Sequence, residues 1–243
     1  MTDVLVDLRS HLMATPLFSI ALTLAAYLMG TRLFERLGRP GWCPAVLIAA
    51  LFVAASLSLF GIDYDDYRRG AEWLMLLLGP ATVALGVPLY QQRHHIRRLW
   101  KPIMLSLPPA AMLAALYSVA LAWAFGASPE VMASLAPKSV TAPIAIGITE
   151  QLGGSISLMM GGLLITGVMA TLTVGPLARW LNVDDPRILG FVLGVNGHAI
   201  GTVHAFELGP TAGAFASLGM SLTGILTALL LPLAWQLLGL PAL

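Results

Sequence analysis

The chain has 243 residues, of which 58% are hydrophobic and 10% charged, with mean hydropathy +0.84; this excludes a water-soluble domain and indicates a polytopic protein embedded in a lipid bilayer. Thirteen basic against twelve acidic residues leave a net charge of +1, so no polyanion-binding surface is implied and nucleic acid is not an expected partner. A single cysteine, Cys43, excludes an internal disulfide and a cysteine metal cluster.

Windows of about 20 apolar residues mark membrane spans. In chain order they fall at Pro16 to Phe34, Pro44 to Phe60, Ala71 to Gln91, Pro102 to Phe125, Ser155 to Leu181 and Pro210 to Leu238. Asp3, Asp7 and Arg9 precede the first window and make a poor signal-peptide start, so that window reads as a retained span. Two further segments, Val131 to Gln151 and Ile188 to Glu207, are long enough to cross but are interrupted by Pro, Gly and polar residues. They read as discontinuous or re-entrant helices. The predicted fold is therefore an all-α polytopic membrane protein of about eight segments, a single domain over residues 1–243.

Lys and Arg in short loops resist translocation. Arg32, Arg36 and Arg39 follow the first span, and Arg93, Arg97, Arg98 and Lys101 follow the third; the second loop sets Arg68 and Arg69 beside Asp63, Asp65 and Asp66. The balance places the N-terminus outside and the first and third loops in the cytoplasm. The loop with Arg179, Asp184, Asp185 and Arg187 is external if both irregular segments cross and internal if the first is re-entrant. An internal echo pairs Leu78 to Ala84 with Leu135 to Thr141, in the pattern Leu-small-Pro-x-hydroxyl-Val-x. Repeats of this kind underlie many secondary transporters.

Within Ala136 to Pro143, a lysine, two hydroxyls and two prolines lie at membrane depth. A charge in hydrocarbon costs roughly 2.5–3.5 kcal/mol on insertion scales and persists where it faces a cavity, a partner or a permeant. Lys138 and Ser139 are expected where a new helical segment starts, so that the ammonium and free backbone N–H groups converge on one anion; a small carboxylate is the natural guest. The other reading of Lys138 is an interfacial anchor. Thr141 and Thr149 either contribute oxygens or cap helix ends. Glu150 and Gln151 mark a helix terminus or a gate.

The second polar cluster runs from Gly194 to Glu207. Asn196 and Thr202 offer neutral hydrogen bonds to a hydroxy acid, and His198 is a candidate proton carrier or a packing residue. His204 and Glu207 are spaced for a local ion pair, with Glu207 also a candidate for coupling. Sodium coupling through Ser139, Thr141 and Thr82 oxygens is the rival to a proton. No catalytic triad, metal-spaced set, phosphate loop or dinucleotide fingerprint stands out, so neither an enzyme nor a cofactor is expected.

Three stretches, Leu77 to Leu85, Pro137 to Ala145 with its Pro-Lys-Ser-Val-Thr run, and Gly197 to Thr202, together resemble the LrgB/CidB family. The resemblance extends from about residue 15 to the C-terminus and includes Thr149 to Gly154 and Gly213 to Leu218. It implies a bacterial inner-membrane protein described as an antiholin-like or murein-hydrolase-export regulator, commonly paired with a small LrgA/CidA-type membrane protein. The family is also similar to the membrane domain of the plastidial glycolate/glycerate translocator. His204 departs from the family pattern, which favours a basic residue there. The combined expectation is a secondary transporter of small monocarboxylates (glycolate, glycerate, lactate or pyruvate), working as a homo-oligomer. The alternative is a regulator acting with the small partner.

Overall fold

The computed structural model describes residues 15–41, 43–77, 80, 83–84, 86–237 and 239. These are helical with turns and links, in two compact units, residues 1–84 and 85–243. Among the described residues, five helices are long and apolar enough to cross a membrane, and Ala45–Phe60 is a shorter apolar one.

The first unit holds α1 (Pro16–Arg36), α2 (Ala45–Phe60) and α3 (Tyr64–Met75). Gly30 brings α1 onto α2; a Cβ there would lie 2.8 Å from the Ala45 carbonyl oxygen. The acidic run expected as a loop is the start of α3. Asp63 accepts the Asp65 N–H at 2.8 Å, and Asp65 and Asp66 occupy the first turn, where the helix dipole favours carboxylates.

The expected span Ala71 to Gln91 is not one helix. α3 ends at Met75, and α4 occupies only Gly86–Gln91. Pro80 lies between the two helices, and a proline disfavours helix at the residue before it.

The second unit continues with α5 (Arg93–Ala124), α6 (Pro129–Leu135), α7 (Ala142–Leu152), α8 (Ile156–Leu181), α9 (Pro186–Leu208) and α10 (Pro210–Leu237). The first irregular segment is a hairpin of α6 and α7. Ser128 and Pro129 start α6, Pro137 lies in the break, and Gly153 ends α7 at φ 75°. The Ser155 N–H then donates to Ser134 Oγ at 2.7 Å. A chain that leaves Ser134 and returns to it dips in without crossing. Gly154 permits the closure, since a Cβ there would lie 2.8 Å from the Ser134 nitrogen.

α9 has the length of a span but is also a hairpin. His198 sits at φ 41°, ψ −130°, a backbone setting rare for non-glycine residues. A Cβ at Gly201 would run into the carbonyl oxygen of Leu193. Eight residues of straight helix rise about 12 Å, so this contact requires the chain to fold back at His198. The pairings along α10 agree. In the entering arm, residues 186–197, Gly190 meets Ala212 and Gly194 meets Ala216, a parallel register. In the returning arm, residues 199–208, Phe206 meets Gly213 and Thr202 meets Met220, an antiparallel register.

α8 fixes the direction of both hairpins. From its N-terminal end it passes Leu135 at Gly162, His198 and Ile200 at Gly167, and Leu193 at Val174. The first hairpin therefore enters from the end where α8 begins, and the second from the end where α8 finishes. Each is followed by a long apolar helix, α8 or α10, so residues 129–181 and 186–237 form the same hairpin-plus-helix unit in opposite senses. This repetition differs from the expected pairing of Leu78 to Ala84 with Leu135 to Thr141, which falls partly outside the described residues.

Candidate functional site

Lys138 lies in the break of the first hairpin and is buried. Its ammonium donates to the Ala114 carbonyl at 3.1 Å and to the Tyr117 hydroxyl at 2.8 Å, with Nζ 4.0 Å from the Tyr117 ring centroid. An ammonium has three donors, so these contacts leave one over. The break is held in place by Ser118 of α5, whose hydroxyl is 3.1 Å from the Leu135 carbonyl oxygen.

The new helix begins at Ala142, not at Lys138 or Ser139 as expected. The N–H groups of Lys138 and Val140 are taken up by turns to Leu135 and Pro137. The positive character near this site therefore comes from the side chain and not from a helix start.

Lys138, Ser139 and Asn196 line one cavity of about 520 Å³, together with Tyr117, Thr166 and Thr173. Its α8 wall recurs at 162, 165, 166, 169, 170, 173, 174 and 177, a single helical face about 22 Å long. The cavity thus extends from Lys138 toward the end where α8 finishes. On the other side of the hairpin, Met132, Ala133, Ile148, Leu152, Leu231 and Trp235 pack into a core cluster. Thr166 and Thr173 bond the Gly162 and Met169 carbonyls, each at 2.7 Å, and Asn196 Nδ2 donates to the Val192 carbonyl at 3.0 Å.

The other residues singled out by sequence lie elsewhere. Thr141 precedes α7 as its cap residue but makes no side-chain cap bond. Thr202 donates to the His198 carbonyl at 2.7 Å and braces the fold-back of α9. His198 Nε2 lies 2.9 Å from the Leu163 carbonyl oxygen, linking the second hairpin to α8, while Nδ1 is buried without a partner. His204 and Glu207 pair at 3.1 Å in the returning arm. Thr82 lies outside the described residues. Sequence reasoning missed Tyr117, which is one aromatic among the apolar residues of α5 and carries no local signal; only the fold brings it to Lys138.

At one end of this unit, Leu99 and Pro102 of α5 share a second cavity with Asp185 and Arg187 of the link into α9. Asp185 caps α9, accepting the Arg187 N–H at 2.9 Å, and the Arg187 guanidinium beside it holds its carboxyl below the usual range.

The family model for the LrgB-like family matches residues 23–237. The chain is 36% identical over 215 residues to the uncharacterized protein YxaC of Bacillus subtilis, covering 88% of this chain and 93% of that one. It is 32% identical to the holin-like protein CidB of Staphylococcus aureus strain Mu50, with 89% and 94% covered. It is 29% identical to the antiholin-like protein LrgB of Bacillus subtilis, with 93% and 97% covered. No solved structure matches the chain.

Proposed function

The chain belongs to the LrgB-like family, and we propose that it is a secondary transporter of small monocarboxylates of the glycolate, glycerate, lactate or pyruvate class. The reading rests on one observation: hairpins entering from opposite ends flank a cavity whose buried cation, Lys138, has a donor to spare. Opposed repeats with broken helices at mid-depth are the arrangement by which many secondary carriers hold a solute. Lys138 and the Tyr117 hydroxyl bind the carboxylate; Ser139 and Asn196 read the hydroxyl or keto oxygen.

The cavity extends toward one end while Met132, Ile148, Leu231 and Trp235 pack across the other, as alternating access requires of one of its two states. Exchange to the other state parts the α6–α7 hairpin from α10 at Trp235. His198 is the coupling residue in this scheme, its free Nδ1 taking up a proton as the hairpins shift. Sodium at Ser139 and Thr141 oxygens is the competing scheme, and Glu207 a further candidate for coupling.

Because the first hairpin does not cross, Arg93, Arg97, Arg98 and Lys101 fall at the same end as Arg179 and Arg187. The bias of Lys and Arg assigns that end to the cytoplasm. The reading is of a multi-pass protein of the bacterial inner membrane that acts as a homo-oligomer, with the N-terminus outside as the basic loops around residues 32–39 and 93–101 favour.

The names of the CidB and LrgB relatives favour a second reading, an antiholin-like regulator of murein hydrolase export and lysis working with a small LrgA/CidA-type partner. Lys138→Ala separates the two in cells. A carrier loses carboxylate uptake and a regulator keeps both its lysis control and its cell-wall phenotype. Unchanged uptake with a folded variant would sink the Lys138 site.

A further inference from the structure

Across the entering arm of α9 from Lys138 lies a separate cavity of about 470 Å³. Its walls are apolar: Leu99, Ile103 and Ala110 of α5, Ile188 and Phe191 of the arm, and Phe215 of α10. On α5 the lining residues recur at 99, 102, 103, 106 and 110, one face of the helix, and His95 and Arg98 continue that face toward its N-terminal end. His95 is within electrostatic reach of Arg98, Arg187 and Asp185. Asp185 and Arg187 line the mouth, and Arg98 lies within the same electrostatic neighbourhood. Arg187 is forked onto Asp185, with Nε 2.9 and 3.0 Å from the two carboxylate oxygens. Arg98 is exposed and has no carboxylate partner among the described residues.

We propose that this cavity is a binding site for an anionic phospholipid, with an acyl chain between α5 and α9 and the phosphodiester at Arg98 and Arg187. A hydrophilic anion finds no polar group along these walls except Ser106 and Asn196, whereas a hydrocarbon chain is removed from competing solvent along the whole depth. Arg98, held by no carboxylate among the described residues, offers the phosphodiester a cation beside the Arg187–Asp185 pair. Basic pockets between helices near the cytoplasmic leaflet recognise lipid headgroups by this combination. Val192 and Asn196 line both this cavity and the Lys138 cavity, so a bound lipid bears on the wall of the solute site. The lipid site holds whatever solute Lys138 serves.

The test is native mass spectrometry of the purified full-length protein with phosphatidylglycerol, phosphatidylcholine of the same acyl chains, and glycerol 3-phosphate. Phosphatidylglycerol is expected to be retained about fivefold over phosphatidylcholine for each arginine engaged, and glycerol 3-phosphate not at all. Arg98→Gln should lower that preference about fivefold. Ser106→Trp, which fills the apolar depth from an exposed position, should lower retention of both lipids. Equal retention of the two lipids, retention of glycerol 3-phosphate, or indifference to both variants would overturn the proposal. So would a Ser106→Trp variant that changes only the oligomeric mass, which would give the cavity to a second copy of the chain.

Discussion

A methyl group added at Gly194 has nowhere to go. The entering arm of α9 lies so close to α10 that a Cβ there would run into the carbonyl oxygen of Ala216 and sit 2.7 Å from its C and Cα atoms. Ordinary contact begins at about 3.4 Å, so clearing that oxygen requires the two helices to part by roughly 1 Å or more. A gap of that size forfeits about a quarter to a half of each dispersion contact along the seam, and overpacking typically costs about 1–3 kcal/mol. The obstacle is backbone, which places Gly194→Ala near the upper figure, and the gain of about 1 kcal/mol from alanine in a helix offsets part of it. A net loss of about 2 kcal/mol corresponds to a Tm lower by roughly 4–8 °C, measured by tryptophan fluorescence of the detergent-solubilised protein on heating. Gly161→Ala, on α8 with nothing within 4 Å of its Cβ, should leave Tm unchanged or raise it. At Gly213 the three atoms nearest an added Cβ all belong to the Phe206 ring, so Phe206→Ala should relieve much of the clash of Gly213→Ala. Equal melting of the Gly194→Ala and Gly161→Ala variants would refute the parallel packing and with it the hairpin reading of α9.

Three more outcomes follow from the same geometry. Tyr117→Phe removes the hydroxyl that accepts from Lys138, worth about 0.5–1.5 kcal/mol, so KM for carboxylate uptake should rise about threefold to tenfold while the protein stays folded; an unchanged KM would remove Tyr117 from the site. His198→Gln should keep saturable uptake but lose its acceleration by a proton gradient, and coupling that survives in this variant would acquit His198. Asp185 has its carboxyl depressed by Arg187, so its contribution to stability is present above the ordinary range near 3.8 and is lost as pH falls through the lowered value. Asp185→Asn, which retains a capping side chain, should flatten that acid limb in Tm against pH, and an acid limb as steep as that of the wild type would contradict the pairing.

Spans with clean ends were legible in the residues. Ser155 to Leu181 and Pro210 to Leu238 differ from α8 and α10 by a residue at one end, because a long apolar run in hydrocarbon has no alternative to helix. Pro137, with the lysine and hydroxyls around it, announced the break of the first hairpin. The second hairpin was legible only as irregularity, since no proline marks its fold-back; the requirement lies in Gly201, whose missing side chain lets the returning arm rest on Leu193. The window Ala71 to Gln91 misled because mean apolarity outweighed its Gly and Pro content. Of the candidate site, Lys138, Ser139 and Asn196 come together, whereas Thr202 turns to the backbone of its own hairpin. A hydroxyl four residues from a free carbonyl bonds it locally, whatever the helical wheel suggests.

The most direct measurement is uptake of labelled glycolate, lactate and pyruvate by proteoliposomes holding the purified chain alone, with and without a proton gradient, beside Lys138→Ala. The account predicts saturable uptake by the wild type that a folded Lys138→Ala protein loses. Saturable uptake retained by that variant, or none by the folded wild type, would contradict it.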